Sequence, residues 1–260
     1  MTDSTDVLEL MQYQILGAVF SRSVRNEVVL KGGFALRAIL GSARLTKDID
    51  LQQDGQRYAL PRLQRLMRSA IKEALASGLL QQPVVTEPKQ TDTVARWKVN
   101  GRTQGGSHVH LTIEVSRRGL PPAEHLVCTA LSRPGLPRAA MVDSYDANAL
   151  AASKTQAFLD EFRVAPRDLY DLDILIRMKA RPPRAMIRHL QTPAHRERVA
   201  EKMDAITYAQ FRAEVLPNLP EGEAQRLDAA EFEQMRARVM FALLDWLEEE
   251  ADAGAAPRAP

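Results

Sequence analysis

Two aspartates one residue apart, Asp48 and Asp50, have the spacing of a metal-binding pair. They lie in the run "DIDLQ". Because alternate side chains of a β-strand share a face, both carboxylates would point to one side while Ile49 and Leu51 point into the core. Neighbouring carboxylates repel one another, and a bound divalent cation such as Mg²⁺ or Mn²⁺ removes that repulsion. The pair predicts a metal site; the alternative is a solvated edge strand with incidental acids.

Two adjacent glycines, Gly32 and Gly33, precede this pair, between an apolar run and a helical pattern. Glycine allows close approach of the backbone to a bound group, and the amides at the start of the following helix can bind phosphate oxygens. Together with the aspartates, the glycines predict a site for a nucleoside triphosphate and a metal ion. The alternative is that the two glycines only form a tight turn.

A third acid, Glu114, lies in "HVHLTIEVS", from His108 to Ser116. The apolar residues of this run alternate, so Glu114 lies on the opposite face of the predicted strand. In two-metal phosphoryl transfer a third carboxylate binds the metal that activates the attacking hydroxyl, and it can accept the proton of that hydroxyl. We therefore predict a catalytic and metal-binding role for Glu114. The alternative is an acid on an exposed face, because the pairing of strands cannot be read from sequence.

The elements that would position these residues form two groups. Val28 to Gln52 predicts a strand, a turn, a helix and a second strand, and Arg57 to Gly78 predicts an amphipathic helix that ends at a glycine. Three further strand patterns begin at Pro83, Thr93 and His108. The stretch from Arg117 to Arg138 is broken by proline and glycine and is predicted to be a loop.

Helical periods separated by prolines dominate the rest of the chain, beginning at "DANALAASKTQAFLDEF". We therefore predict an α+β fold, with a mixed sheet and flanking helices in residues 1–140 and a helical domain in residues 141–252. The last residues, 253–260, are of low complexity and are predicted to form a disordered tail.

The composition places few limits on function. The chain has 260 residues, of which 45% are hydrophobic, and a formal net charge of +2. That charge neither requires nor excludes a nucleic-acid partner. A single cysteine, no signal-peptide pattern and no long apolar run favour a soluble, cytoplasmic protein without a membrane partner.

Positive residues are concentrated between Arg177 and Lys202, where they outnumber Glu197 and Glu201. Such a patch could bind the phosphates of an RNA backbone. A solvated helical face and a surface that binds a protein partner are the alternatives.

The run "LKGGFALRAILGSARLTKDIDL" resembles the opening of the polymerase-beta-like nucleotidyltransferase superfamily. With "KTQAFLDEFRVAPRDLYDLDIL", from Lys154, the chain resembles the AbiEii/AbiGii-type toxins of type IV toxin–antitoxin and abortive-infection systems. The resemblance implies a nucleotidyltransferase-type sheet and transfer of a nucleotide from a nucleoside triphosphate. Some members modify the acceptor end of tRNA and so stop translation. It also implies a separately encoded antitoxin as a partner.

The resemblance also implies roles for individual residues. Arg44 and Thr46 would join Gly32 and Gly33 in the triphosphate and metal pocket. Asp48 and Asp50 would hold magnesium.

In the second half of the chain, Lys154 would contact the triphosphate as a mobile point charge. Asp168 matches the last acidic motif of the family, with Asp171 one helical turn later as a second participant. An alternative for these acids is an N-terminal helical turn that complements the helix dipole. The chain departs from the family pattern at Phe34, where a small hydroxyl residue is usual.

These observations leave three hypotheses open. The first is a toxin in which an RNA hydroxyl, at the 3′ end of a tRNA, attacks the α-phosphate of a nucleoside triphosphate. The second is a transferase with a small-molecule or protein acceptor. The third is a non-catalytic protein that binds RNA or another partner through its basic surface.

Overall fold

The computed structural model describes residues 4–131, 133 and 139–248. It divides into two compact units, Met1–Leu150 and Ala151–Pro260. The sequence prediction placed this division at residue 140. The predicted tail, residues 253–260, lies outside the described residues.

The first unit is built on a mixed sheet in which seven strands are described, in the order β3-β4-β5-β2-β1-β7-β6. The two central strands that carry the predicted acids, β2 and β5, are parallel neighbours, and β1 pairs antiparallel with β2 and parallel with β7. The strands are β1 (Val29–Lys31), β2 (Asp48–Gln52), β3 (Gln81–Gln90), β4 (Val94–Arg102), β5 (His108–Ser116), β6 (Leu126–Leu131) and β7 (Ala140–Tyr145).

Among the described residues of this unit, the α-helices that lie wholly within it are α1 (Ser4–Phe20), α2 (Gly32–Ala38) and α3 (Leu60–Leu75). α1 contacts α3, β5 and β7, and α2 contacts β1 and β2. The core of the unit consists of apolar side chains at helical spacing in α1 and at alternate positions in the central strands. Burying each such side chain contributes about 1.5–3 kcal/mol. Its fully buried members include Met11, Ile15, Leu16, Leu30, Ile49, Leu51, Trp97 and Ile113.

The predicted strand, turn, helix and strand between Val28 and Gln52 is present as β1, α2 and β2. The predicted loop from Arg117 to Arg138 is wrong in part, because this stretch contains a 3₁₀ turn, Ala123–His125, and the strand β6. β6 is a partly exposed strand at one end of the sheet order, and it carries the exposed Cys128 opposite Asp143 of β7. Its residues are mostly apolar but do not alternate, and the prolines and glycines before and after it favour a loop, so the sequence did not reveal the strand.

The second unit is helical, as predicted. Its core includes Leu169, Leu172, Phe211, Phe232 and Val239. α4 begins at Ala147, before the division, and the other helices follow it. The helices are α4 (Ala147–Phe158), α5 (Pro166–Arg177), α6 (Arg184–Ile187), α7 (Pro193–Ala205), α8 (Tyr208–Glu214), α9 (Glu221–Arg226) and α10 (Ala229–Trp246).

Packing within the second unit joins α10 to α5 and α7, and α5 to α8. None of the helices in the described ranges combines the length and the apolar character needed to cross a membrane.

Candidate active site

Four charged side chains lie in one row across the centre of the sheet. Strand register pairs Lys31 with Asp50, Asp50 with Glu114, and Glu114 with Arg96. Directly paired residues place their side chains on the same face, so the row alternates cation, acid, acid, cation. Lys31 and Arg96 were not predicted from the sequence, because the register that brings them beside the acids depends on pairing between distant strands.

Asp48 lies on the same face as Asp50, two residues earlier in β2. It pairs with Thr112 of β5, which in turn pairs with Lys98 of β4. Ile49 and Leu51 are fully buried on the opposite face. The structure therefore brings the three predicted carboxylates, Asp48, Asp50 and Glu114, to one face of two neighbouring strands.

Gly32 lies directly against Asp50. Its φ of +70° is in the left-handed region, and a Cβ added at this position would be 2.1 Å from Asp50 Oδ2 and 2.7 Å from Asp50 Cβ. A side chain at position 32 is therefore excluded by the carboxylate and disfavoured by the backbone. The glycine turn and the aspartate pair are in contact.

Gly33 lies against the other two residues implied by the resemblance. A Cβ at Gly33 would be 2.9 Å from Arg44 Nη2 and 3.4 Å from Thr46 Oγ1. Arg44 is only 6% exposed, and its Nη1 donates to the carbonyl of Leu45 at 3.2 Å. The guanidinium of Arg44 is thus held beside the glycine turn.

Two side chains that the sequence analysis did not identify hold the segment that carries Arg44, Thr46 and Asp48. Gln12 of α1, 1% exposed, donates from Nε2 to the carbonyl of Thr46 at 3.0 Å. Arg37 of α2 donates from Nη1 to the carbonyls of Ser42 at 3.1 Å and Ala43 at 3.2 Å. In the sequence Gln12 is only one polar residue among the apolar positions of a helical pattern, and its burial is visible only in the structure.

The carboxylates of Asp48 and Asp50 are hard oxygen donors of the kind that Mg²⁺ and Mn²⁺ prefer. Glu114 differs, because its Oε2 accepts hydrogen bonds from Arg96 Nε, at 2.9 Å, and from Arg96 Nη2. Within the described ranges, no three or more His, Cys, Asp or Glu side chains are grouped as a metal site. The donor chemistry of the aspartate pair fits a divalent ion, and the role of Glu114 as a further ligand stays a prediction.

Lys31 is half-buried, as is Arg96, the other cation of the row. Burial lowers the pKa of its ammonium below the ordinary value, while the negative charges of Asp50 and Glu114 act in the opposite direction. An ammonium at this position offsets part of the repulsion between the two acids.

The second unit brings together the other three predicted residues. Lys154 of α4 places Nζ 3.1 Å from Asp168 Oδ1 and 2.6 Å from Asp171 Oδ2, both on α5. Asp168 is 1% exposed and Asp171 is 0% exposed. Because the two acids are three residues apart on a helix, they lie on one side of α5 and can share one ammonium.

A second cation completes this group. Arg163 contacts Asp168 Oδ2 from Nε at 2.8 Å and from Nη2 at 2.6 Å. Arg163 is not among the residues predicted from the sequence, and the structure shows it as the guanidinium partner of Asp168. The alternative that Asp168 and Asp171 only complement the helix dipole does not explain their full burial, because solvent-exposed acids in the first turn of α5 would complement the dipole equally well.

Much of the basic stretch from Arg177 to Lys202 is occupied by contacts within the chain. Arg177 contacts Asp173 at 2.7 Å, Arg181 contacts Asp245 at 3.4 Å, and Arg196 contacts Glu248 at 3.7 Å. Arg198 and Lys202 donate to backbone carbonyls. Less of this stretch is available to an external anion than its sequence indicates.

A comparison with protein families finds one whose model matches residues 14–256, described as "Nucleotidyl transferase AbiEii toxin, Type IV TA system". No curated protein matches the chain.

Solved structures with a similar fold include three bacterial proteins. MenT4, a nucleotidyltransferase toxin from Mycobacterium tuberculosis, has a TM-score of 0.61 and 20% identity over 96% of this chain and 86% of that one. JHP933 from Helicobacter pylori has a TM-score of 0.56 and 19% identity, covering 94% and 93% of the two chains. A putative nucleotidyltransferase from H. pylori has a TM-score of 0.51 and 17% identity, covering 94% and 97%.

Proposed function

Because the chain belongs to the AbiEii nucleotidyl transferase toxins of type IV toxin–antitoxin systems, we propose that it transfers a nucleoside monophosphate to RNA in a metal-dependent reaction. The acceptor in this proposal is the 3′ end of a tRNA, as the resemblance to tRNA-modifying members implies. The observation that carries the proposal is the contact between the glycine turn and Asp50. It brings a backbone segment that a phosphate can approach closely next to the carboxylate pair.

In the proposed reaction, the acceptor hydroxyl attacks the α-phosphorus of the nucleoside triphosphate in line with the leaving group. A new P–O bond forms, the bond to the β-phosphate breaks, and pyrophosphate leaves. Glu114 accepts the proton of the hydroxyl. In the part of the chain that the structure describes, Arg96 contacts Glu114 through Oε2, so Oε1 is the oxygen that takes this role.

The remaining residues bind and orient. Asp48 and Asp50 would hold Mg²⁺ or Mn²⁺, which when bound neutralises charge on the phosphoryl oxygens. The backbone at Gly32 and Gly33, with Arg44 and Thr46, binds phosphate oxygens through N–H and O–H donors.

In the second unit, Asp168 and Asp171 hold the ammonium of Lys154, the residue that the resemblance assigns to the triphosphate. As the family implies, the partner that neutralises the protein is an antitoxin.

Incubation of the protein with Mg²⁺, α-labelled nucleoside triphosphates and total RNA tests the proposal. We expect label on tRNA, and we expect Asp50→Asn to reduce the rate of transfer by about 10²-fold or more, because the reaction loses one preorganised charge. Asp92→Asn is the matched control, since the Asp92 side chain is fully exposed.

Other outcomes would contradict the proposal in different ways. Label on a small molecule or a protein would replace RNA as the acceptor. RNA binding without incorporation would indicate a non-catalytic protein. An Asp50→Asn variant as active as wild type would remove the metal from the proposal.

A further inference from the structure

Lys202 of α7 is a buried lysine whose ammonium is bound by backbone oxygens. The residue is 6% exposed, and Nζ donates to the carbonyl of Asp160, to that of Glu161 at 3.3 Å and to that of Arg163 at 2.6 Å. A buried ammonium needs several hydrogen-bond acceptors, as here, to offset the hydration that it loses on burial. The three acceptors belong to one short segment, residues 160–163, which follows α4.

The segment receives a second cation from the same helix. Arg198 of α7 donates from Nη1 to the carbonyl of Leu159 at 3.4 Å. The last carbonyls of a helix have no partner within the helix, and positive charge near them is favourable. α7 therefore binds the backbone that leaves the C-terminal end of α4.

This segment connects the two helices that carry Lys154 and its acids. Arg163, whose carbonyl is bound by Lys202, directs its own side chain to Asp168 Oδ2, at 2.8 Å from Nε. The other oxygen of Asp168 accepts from Lys154 Nζ at 3.1 Å. A continuous series of charge-assisted contacts thus joins Lys202 to Lys154 within the second unit.

We propose that Lys202 is a positioning residue for Lys154. By fixing the backbone at residues 160–163, Lys202 holds Arg163 against Asp168, and Asp168 together with Asp171 holds the Lys154 ammonium in one place. A lysine ammonium on a flexible four-carbon stem needs such partners to occupy a single position. The kinetic consequence rests on the proposed function, in which Lys154 contacts the triphosphate.

Steady-state kinetics of Lys202→Met test this consequence. We expect KM for the nucleoside triphosphate to rise about tenfold, with kcat at saturating triphosphate and KM for the RNA acceptor unchanged. A residue that only stabilises the fold would instead reduce the active fraction, so that apparent kcat falls while KM stays constant. That result would overturn the proposal.

A double-mutant cycle tests the route through Arg163. Arg163→Ala should raise the same KM, Arg163→Lys should restore part of the loss, and adding Lys202→Met to Arg163→Ala should have no further effect. Additive effects would show that Lys202 acts by another route. Arg212→Met, at an exposed position of α8, is the control and should leave the kinetic constants unchanged.

A readout that is independent of activity separates this proposal from the proposed function. We expect an amine-acylating reagent to modify Lys154 about tenfold faster in Lys202→Met and in Arg163→Ala than in wild type, measured by peptide mass spectrometry. Unchanged labelling in Arg163→Ala would overturn the positioning role even if Lys202→Met failed to fold. Wild-type protein that transfers no nucleotide would contradict only the proposed function.

Discussion

Gly32 lies in direct contact with Asp50, and adding one methyl group at position 32 tests the importance of this contact. Gly32→Ala would place a Cβ 2.1 Å from Asp50 Oδ2 in a backbone with φ of +70°. We expect the variant to lose about 1–2 kcal/mol of stability from the left-handed backbone and additional stability from the clash. We also expect it to lose nucleotide transfer, because Asp50 must move.

Gly41→Ala is the matched control for that variant. Gly41 has a φ of +75°, and nothing lies within 4 Å of the position that its Cβ would take. Urea unfolding should show a similar backbone cost in both variants, whereas transfer should survive in Gly41→Ala alone. If Gly32→Ala transferred nucleotide as fast as Gly41→Ala and wild type, the position of Asp50 would not be important for transfer.

The side of a strand on which each residue lies could largely be predicted from the sequence. The residues of other strands and helices that lie beside it could not. The alternation of "DIDLQ" correctly placed Ile49 and Leu51 in the core and the two aspartates on the other face. Lys31 and Arg96 escaped prediction, since a strand pattern contains no information on which strand pairs with it or in what register. Arg163 was not predicted because its contact with Asp168 depends on the conformation of the segment between α4 and α5, which the sequence does not show.

At the scale of elements, α3 is attached to the segment before β1 by one buried acid. Glu27 is 1% exposed and accepts hydrogen bonds from Arg62 Nη2 of α3 at 2.8 Å and from the amide of Val24 at 3.1 Å. Burial raises the pKa of Glu27, but these hydrogen bonds outweigh burial and hold the pKa below its ordinary value of 4.5. The ionised form of Glu27 therefore stabilises the folded state.

The sign of the pH dependence follows from that lowered pKa. The stabilisation by Glu27 is fully present above pH of about 4.5 and is lost as the pH falls through the lower pKa of the folded state. We expect Glu27→Gln to be less stable than wild type at neutral pH and to lose this part of the acid sensitivity. Urea unfolding from pH 3 to pH 7 measures the difference, with Glu201→Gln, at an exposed position of α7, as the control. A difference that stays constant with pH would contradict the prediction.

Elements with strong periodicity, such as α3 and β5, were predictable, and the bounds of β2 and β5 match the sequence patterns. β6 and β7 were not, because their stabilisation comes from pairing with each other and with β1 rather than from a local apolar pattern. The order of the seven strands described also depends on contacts between residues distant in sequence.

The net charge of +2 does not indicate how many positive side chains are available to bind phosphates, because many of them form ion pairs within the chain. Between Arg177 and Lys202, the structure as described assigns no ion pair or side-chain hydrogen bond to Lys179 or Arg188, both of which are exposed. We expect these two to be the main phosphate contacts of this stretch.

Removing both charges with Lys179→Ala and Arg188→Ala should make the slope of log K against log salt for tRNA binding shallower by about 1.4–1.8, as expected for two phosphate contacts. Filter binding over a range of KCl concentrations measures the slope. The control is Arg65→Ala with Lys72→Ala, two exposed positions on α3. An unchanged slope would show that Lys179 and Arg188 make no phosphate contact.

The exposed position of Cys128 on β6 has a practical consequence, since the chain has one cysteine. Partial burial and the nearby Asp143 raise the pKa of its thiol, so maleimide attachment proceeds faster at mildly alkaline pH than at neutral pH. A fluorophore attached there sits in the first unit alone. Its emission would follow unfolding of that unit, or the arrival of a partner, without an engineered label site.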